Sequence, residues 1–72
     1  MDIGNRIRAV RKAANISQEG LARRADVSLN VVSRLERGEI VDPHASTLTR
    51  IAVGLGVPVS SLLEEKALAG KV

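Results

Sequence analysis

Two helical patterns stand on either side of the dipeptide Asp26-Val27, and that short join constrains the fold more than any other feature of the chain. The first pattern opens at Ser17, a residue type suited to the N-cap, with Glu19 in the first turn where the helix dipole favours a negative charge. Leu21, Ala22 and Ala25 form its inner face. Gly20 within it is unfavourable by about 1 kcal/mol relative to alanine. The second opens at Ser28, again an N-cap type, and turns Val32 and Leu35 inward. Gly38 is placed to end it as a left-handed residue. Helices joined by so few residues cross steeply, and the small side chain their contact needs is supplied by Ala22.

Three further patterns flank this pair. Ile3, Ile7, Val10 and Ala14 are spaced four, three and four residues apart, which places them in one helical stripe of about 60°. The other faces of that helix carry Arg6, Arg8, Arg11 and Lys12, and Asn15-Ile16 breaks it. A loop is expected from Glu39 to His44, because Pro43 bars helix before it. Leu48, Ile51, Ala52 and Leu55 mark a fourth helix that stops at Gly56. Pro58 then fixes the start of a short fifth helix carrying Val59, Leu62 and Leu63. No stretch alternates with period two, so no strand is predicted. The expected fold class is all-α, a compact five-helix bundle. Residues 1–66 form one domain, with the paired helices at about 17–37, and residues 67–72 form a fraying tail. A chain of 72 residues is enough for one such domain and no more.

Composition removes several kinds of chemistry. There is no cysteine and a single histidine, His44. A disulfide framework, a thiolate zinc site and redox chemistry are therefore excluded. The acidic residues do not cluster into a carboxylate metal site, and no cofactor is expected. The sole histidine lies in a loop with no nucleophile at a recognisable spacing, so an enzyme is not expected. The most apolar run, residues 51–59, is interrupted by Gly54, Gly56 and Pro58 and is far short of the roughly 20 residues a membrane span needs. With no targeting segment either, a cytoplasmic protein with no membrane partner is expected. The formal charge of +3 is unevenly placed. Through Arg37 there are eight basic and four acidic residues; after it, three basic and four acidic. A polyanion would meet the N-terminal half, although basic faces are often merely solvated. The absence of aromatic residues argues against single strands held by stacking and against an aromatic RNA-binding sheet.

The spacing inside the helix pair carries more information. Counting from Gln18, Ala22 is fifth, Asp26 ninth and Val32 fifteenth. Ile16-Ser17-Gln18-Glu19, Leu21-Ala22, Val32 to Gly38, Ser46-Thr47-Leu48, Ile51-Ala52 and Leu55-Gly56-Val57 follow in order. In these stretches the chain resembles the Xre family of phage-repressor-like and Cro-like helix-turn-helix proteins over nearly its whole length. The resemblance implies a lambda-repressor-like bundle and a bacterial or phage-encoded protein at the nucleoid. It implies a homodimer on double-stranded DNA, with the helix at 28–37 in the major groove. It also implies that Arg11 and Glu36 form a partly buried structural ion pair, and that Gln18 clamps the DNA backbone.

Side-chain chemistry agrees on the reading helix. Leu29, Asn30, Ser33, Arg34 and Arg37 fall within an arc of about 140°, opposite Val31, Val32 and Leu35. Arg34 can fork onto guanine O6 and N7, or else hold a phosphate. Asn30 can read adenine or hold a phosphate, Leu29 can touch a thymine methyl, and Ser33 offers a hydroxyl to a base edge or a phosphate. Ser17, Gln18 and Ser28 at helix starts, with Arg37 by charge, are the expected phosphate contacts. Arg23 and Arg24 are read as solvated or as long-range electrostatic contributors.

Three departures from the family pattern stand out. Asp26 replaces the usual turn glycine, and aspartate tolerates the left-handed conformation better than most residues; Gly20 removes the chance of a capping box with Ser17. The loop after Gly38 carries Glu39 and Asp42 but no lysine or arginine. That argues against the backbone contact relatives make there and leaves His44 as the candidate backbone or minor-groove contact. Ile40 and Val41, with Val59 and Leu62, form a candidate dimer or partner surface; the loop pair could equally fold onto the core. Two functions follow. One is a dimeric repressor or autoregulator on a two-fold operator. The other is an antitoxin or partner-binding module whose task is to hold a toxin or a partner regulator.

Overall fold

Side-chain caps set where the first three helices begin, and left-handed residues set where the first four end. The computed structural model describes residues 2–63. They form α1 (Ile3–Ala13), α2 (Gln18–Ala25), α3 (Leu29–Glu36), α4 (Ala45–Leu55) and α5 (Val59–Leu62), with no strand among the described residues. The tail and the domain edge expected near Lys66 lie outside them. Asp2 Oδ1 accepts the Asn5 N–H at 2.8 Å, Ser17 Oγ that of Gly20 at 2.9 Å and Ser28 Oγ that of Val31 at 3.2 Å. Each such cap is worth about 1 kcal/mol.

Four helices stop in the same way. Asn15, Asp26, Gly38 and Gly56 have φ of 59°, 58°, 81° and 73°. The N–H of the following residue reaches back to the last turn in every case: Ile16 to Arg11, Val27 to Ala22, Glu39 to Arg34 and Val57 to Ala52, at 2.9–3.1 Å. This bonding satisfies carbonyls that a helix end otherwise leaves open. Two of the four positions are not glycine. At Asp26 the left-handed strain is offset by Arg50 of α4, which donates to the Asp26 carbonyl at 3.0 Å and lies 3.6 Å from its carboxylate.

Among the described residues the hydrophobic core is entirely aliphatic. Ile7, Leu21, Val32, Leu35 and Ile51 are fully buried, with Ala22, Ala25, Ala52, Leu55 and Leu62 around them. Each of the larger side chains contributes about 1.5–3 kcal/mol on burial. α2 packs closely on α4, where Gly54 leaves room for Ala25 and Leu21.

The inner face of α1 differs from the expected stripe. Its buried residues are Gly4, Ile7 and Arg11. Ile3 and Val10 are half-buried, and Ala14 is an exposed C-cap. The face is turned by roughly 60° from the apolar pattern because α1 lies directly on the backbone of α3. A Cβ built on Gly4 would sit 2.0 Å from the Leu35 carbonyl oxygen. Leu62 and Leu63, both expected among the apolar residues of the fifth helix, lie in different settings. Leu62 is 3% exposed and belongs to the core, so it cannot serve as a dimer or partner surface, while Leu63 is 44% exposed. Leu63 follows as the C-cap of α5 and points about 100° away from Leu62, off the face that α5 turns to the core. No helix among the described residues is long and apolar enough to cross a membrane.

Candidate nucleic-acid interface

α3 buries Val32, Leu35 and Glu36 and turns Leu29, Asn30 and Arg34 to solvent. Leu29 is 42% exposed on its first turn, where water gives an apolar side chain no partner. Arg37 follows as the exposed C-cap. Ser33 is half-buried between these faces, and its hydroxyl donates to Gln18 Oε1 at 3.1 Å.

Beneath the outer face lies a polar network that ties three elements together. Arg11 Nε donates to Glu36 Oε2 at 2.7 Å and its Nη2 to Oε1 at 2.9 Å. The third guanidinium nitrogen, Nη1, donates to the Ile16 carbonyl at 2.8 Å, which joins the α1–α2 turn to the pair. The two side chains are only 10% and 3% exposed. Gln18 Nε2 adds a bond of 3.0 Å to Glu36 Oε1. The amide has one orientation that satisfies both neighbours, oxygen toward Ser33 and nitrogen toward Glu36, and it keeps one N–H for another acceptor. Burial alone would raise the Glu36 carboxyl. The bonds from Arg11 and Gln18, with the charges of Arg11 and Arg8, outweigh it and hold the group below its ordinary range. The bond to Glu36 likewise pushes Arg11 further up.

The helix starts are prepared for an anion in a complementary way. Ser17 and Ser28 accept from the backbone as caps, which leaves each hydroxyl proton available to a phosphate. Gln18 stands half-buried beside the first of them. His44 is the exposed N-cap of α4, without a side-chain capping bond. It borders an open, mostly apolar cavity of about 310 Å³ walled by Val31, Leu35, Ile40 and Pro43. Ile40 is folded onto the core, as is Val59, whereas Val41 is 78% exposed. Of the four residues expected at a protein surface, Val41 alone stands fully free of the core.

Glu39 has a place that its charge alone did not suggest. Expected only to repel a DNA backbone, it accepts from Arg37 Nε at 2.9 Å and lies 3.4 Å from Arg34 Nε. The signal was available in the spacing: a left-handed Gly38 folds the next residue back onto the last turn of α3. Among the described residues no group of three or more acidic or histidine side chains could hold a metal ion.

The family model described as Helix-turn-helix matches residues 7–62, a span that takes in α2, the Asp26-Val27 turn and α3. The chain belongs to the helix-turn-helix family. It is 37% identical over 68 residues to the Immunity repressor protein of Bacillus phage phi105, covering 94% of this chain and 46% of that protein. It is 36% identical over 64 residues to the HTH-type transcriptional regulator SinR of Bacillus subtilis (strain 168), covering 89% of this chain and 58% of the relative. SinR of Bacillus licheniformis is similar to the same extent. The helix-turn-helix chain thus spans about half the length of the curated relatives it matches.

Proposed function

We propose that this helix-turn-helix chain is a sequence-specific, double-stranded-DNA-binding transcription regulator, a repressor or autoregulator, that acts as a dimer on a two-fold operator with α3 in the major groove. The observation that carries the reading is the two-sidedness of α3. Its inner side is locked to α1 and α2 by the buried Arg11–Glu36 pair and the half-buried Gln18, while Leu29, Asn30 and Arg34 are turned outward. A rigid support under an outward Asn and Arg is what base readout requires, since fork contacts tolerate little displacement. Arg34 reads guanine, Leu29 and Asn30 touch neighbouring base edges, and Ser33 steadies Gln18. Ser17, Gln18, Ser28 and Arg37 hold phosphates, with His44 near the backbone or minor groove. The repressor and regulator named among its relatives support the same reading.

The test is selection of bound sequences from a random duplex pool, with wild type and Arg34→Ala compared at one salt concentration. Wild type is expected to enrich a two-fold site with half-sites about one helical turn apart. Arg34→Ala should lose preference at one guanine per half-site, worth about 1–3 kcal/mol of discrimination. An unchanged logo with uniformly weaker binding would make Arg34 a phosphate contact. The exposed Val41 and Val53 (78% and 70%) favour a second reading, capture of a partner protein such as a toxin or another regulator. Wild type without any sequence preference would move that reading to the front.

A further inference from the structure

We infer that Glu39 is a specificity-determining residue, a carboxylate that restrains Arg34 and Arg37 and so weakens the sequence-independent part of DNA binding. The inference rests on the proposed meeting of α3 with duplex DNA. Glu39 Oε2 accepts from Arg37 Nε at 2.9 Å and Oε1 from its Nη2 at 3.4 Å, while Arg34 Nε lies 3.4 Å from the same Oε1. One carboxylate therefore faces the arginine proposed to read a base and the arginine proposed to hold a phosphate. Its position is fixed by the backbone, because Glu39 N–H bonds the Arg34 carbonyl at 2.9 Å behind the left-handed Gly38. The bond from Arg37 keeps the carboxyl below its ordinary range, so it is charged at neutral pH.

Any DNA acceptor that engages these arginines must compete with Glu39 or share them with it. A phosphate offers Arg37 only an exchange of one oxyanion for another, and the carboxylate repels the neighbouring phosphates. A guanine in register with Arg34 offers a two-point contact that a mixed sequence supplies there only by chance. The restraint therefore subtracts more from non-specific binding, which is made of phosphate contacts, than from binding at the right site. All three side chains are about half exposed (47%, 57% and 49%), so the pairs open readily and the effect is modest.

The experiment measures affinity for one selected duplex and one mixed-sequence duplex across a series of salt concentrations. Glu39→Gln should bind the mixed duplex about two- to five-fold more tightly, the range an exposed ion pair allows. Its gain on the selected duplex should be smaller, and its log–log salt slope steeper by up to about 0.9, one phosphate contact. Two comparisons separate a restraint from loss of a negative charge. Asp42→Asn makes the same charge change in the same loop and should gain less. In an Arg37→Ala background the effect of Glu39→Gln should shrink, because one restrained partner is gone. Far-ultraviolet circular dichroism confirms that each variant is folded. The inference is overturned by a flat Glu39→Gln response, by an equal response to Asp42→Asn, or by an effect that persists in full without Arg37. Wild type that binds no duplex would overturn the DNA reading, and the inference with it. Selective wild-type binding with a flat Glu39→Gln response would overturn the inference alone.

Discussion

Glu36 and Glu39 stand three residues apart at the end of α3, and each accepts an arginine Nε–H, at 2.7 Å and 2.9 Å. Around Glu36 the side chains are 3% and 10% exposed; around Glu39 they are about half exposed. Nearly the same bond length thus occurs in two dielectric settings. In the buried pair neither charge has water to fall back on, so each holds the other and both hold α1 against α3. In the exposed group water and salt replace any partner that leaves, so the contact shapes which ligand the arginines meet and adds little to the fold. Burial, more than distance, divides a structural ion pair from a binding-surface one.

The largest expected effect breaks the buried side of that comparison. Glu36→Ala strands the Arg11 guanidinium and should destabilise the domain by about 3–5 kcal/mol, enough to unfold a small domain under mild conditions. Glu39→Ala should leave the midpoint almost unmoved. Urea titrations of the two variants side by side test this, and equal midpoints would remove the distinction. Acid sharpens it further. The folded fold holds Glu36 below the ordinary carboxylate value, so its stabilisation is complete above about pH 4.3, the ordinary glutamate value. It declines as pH falls toward the folded value and is absent below it. Glu36→Gln should therefore start from a lower stability and lose less of it on acidification than wild type does.

A smaller effect tests why the buried pair is buried. Gly4 lets α1 rest on the Leu35 carbonyl, and an added methyl group would meet that oxygen at 2.0 Å. Gly4→Ala should push the helices apart and cost about 1–3 kcal/mol, the usual range for overpacking, even though alanine is the better helix former. A stabilised Gly4→Ala variant in the same urea titration would show that α1 can lift from α3 without loss. The low exposure of Arg11 and Glu36 would then lack its cause.

Much of this arrangement was legible in the sequence because it depends on local chemistry. Ser17 and Ser28 as caps, Asp26 as a tolerated left-handed residue, Gly38 and Gly56 as stops, and the inward Leu21, Val32, Leu35 and Ile51 all follow from propensity and period. The misses share a different origin. The face of α1 was read from its apolar residues, but a glycine and an arginine occupy the contact with α3, and neither registers in an apolar count. Leu62 and Leu63 are equally apolar, and only the docking of α5 decides which one points inward. Pairwise contacts across turns, such as Ser33 with Gln18 and Glu39 with Arg34 and Arg37, depend on side-chain directions that spacing constrains but does not assign. The Arg11–Glu36 pair follows only from the family resemblance, because two charges 25 positions apart carry no local signal of contact.

The smallest effect concerns Gln18, which touches both settings. It is half-buried, bonds Glu36 from the interior side and stands beside the exposed start of α2. Gln18→Ala removes one bond to a charged acceptor and leaves the Ser33 hydroxyl without its acceptor. Since Arg11 still holds Glu36 at two points, the loss should be about 1 kcal/mol, well below that of Glu36→Ala. The Glu36 carboxyl should move up toward its ordinary range, because one of the bonds that lower it is gone while those from Arg11 remain. Carboxyl-carbon NMR through an acid titration reads that shift directly. On DNA the same variant should bind every sequence more weakly without flattening the salt dependence, since glutamine carries no charge to release counterions. A flattened slope would mean that removing Gln18 disturbs Arg37 or Arg34. The buried network would then set the charge of the outer face as well as its position.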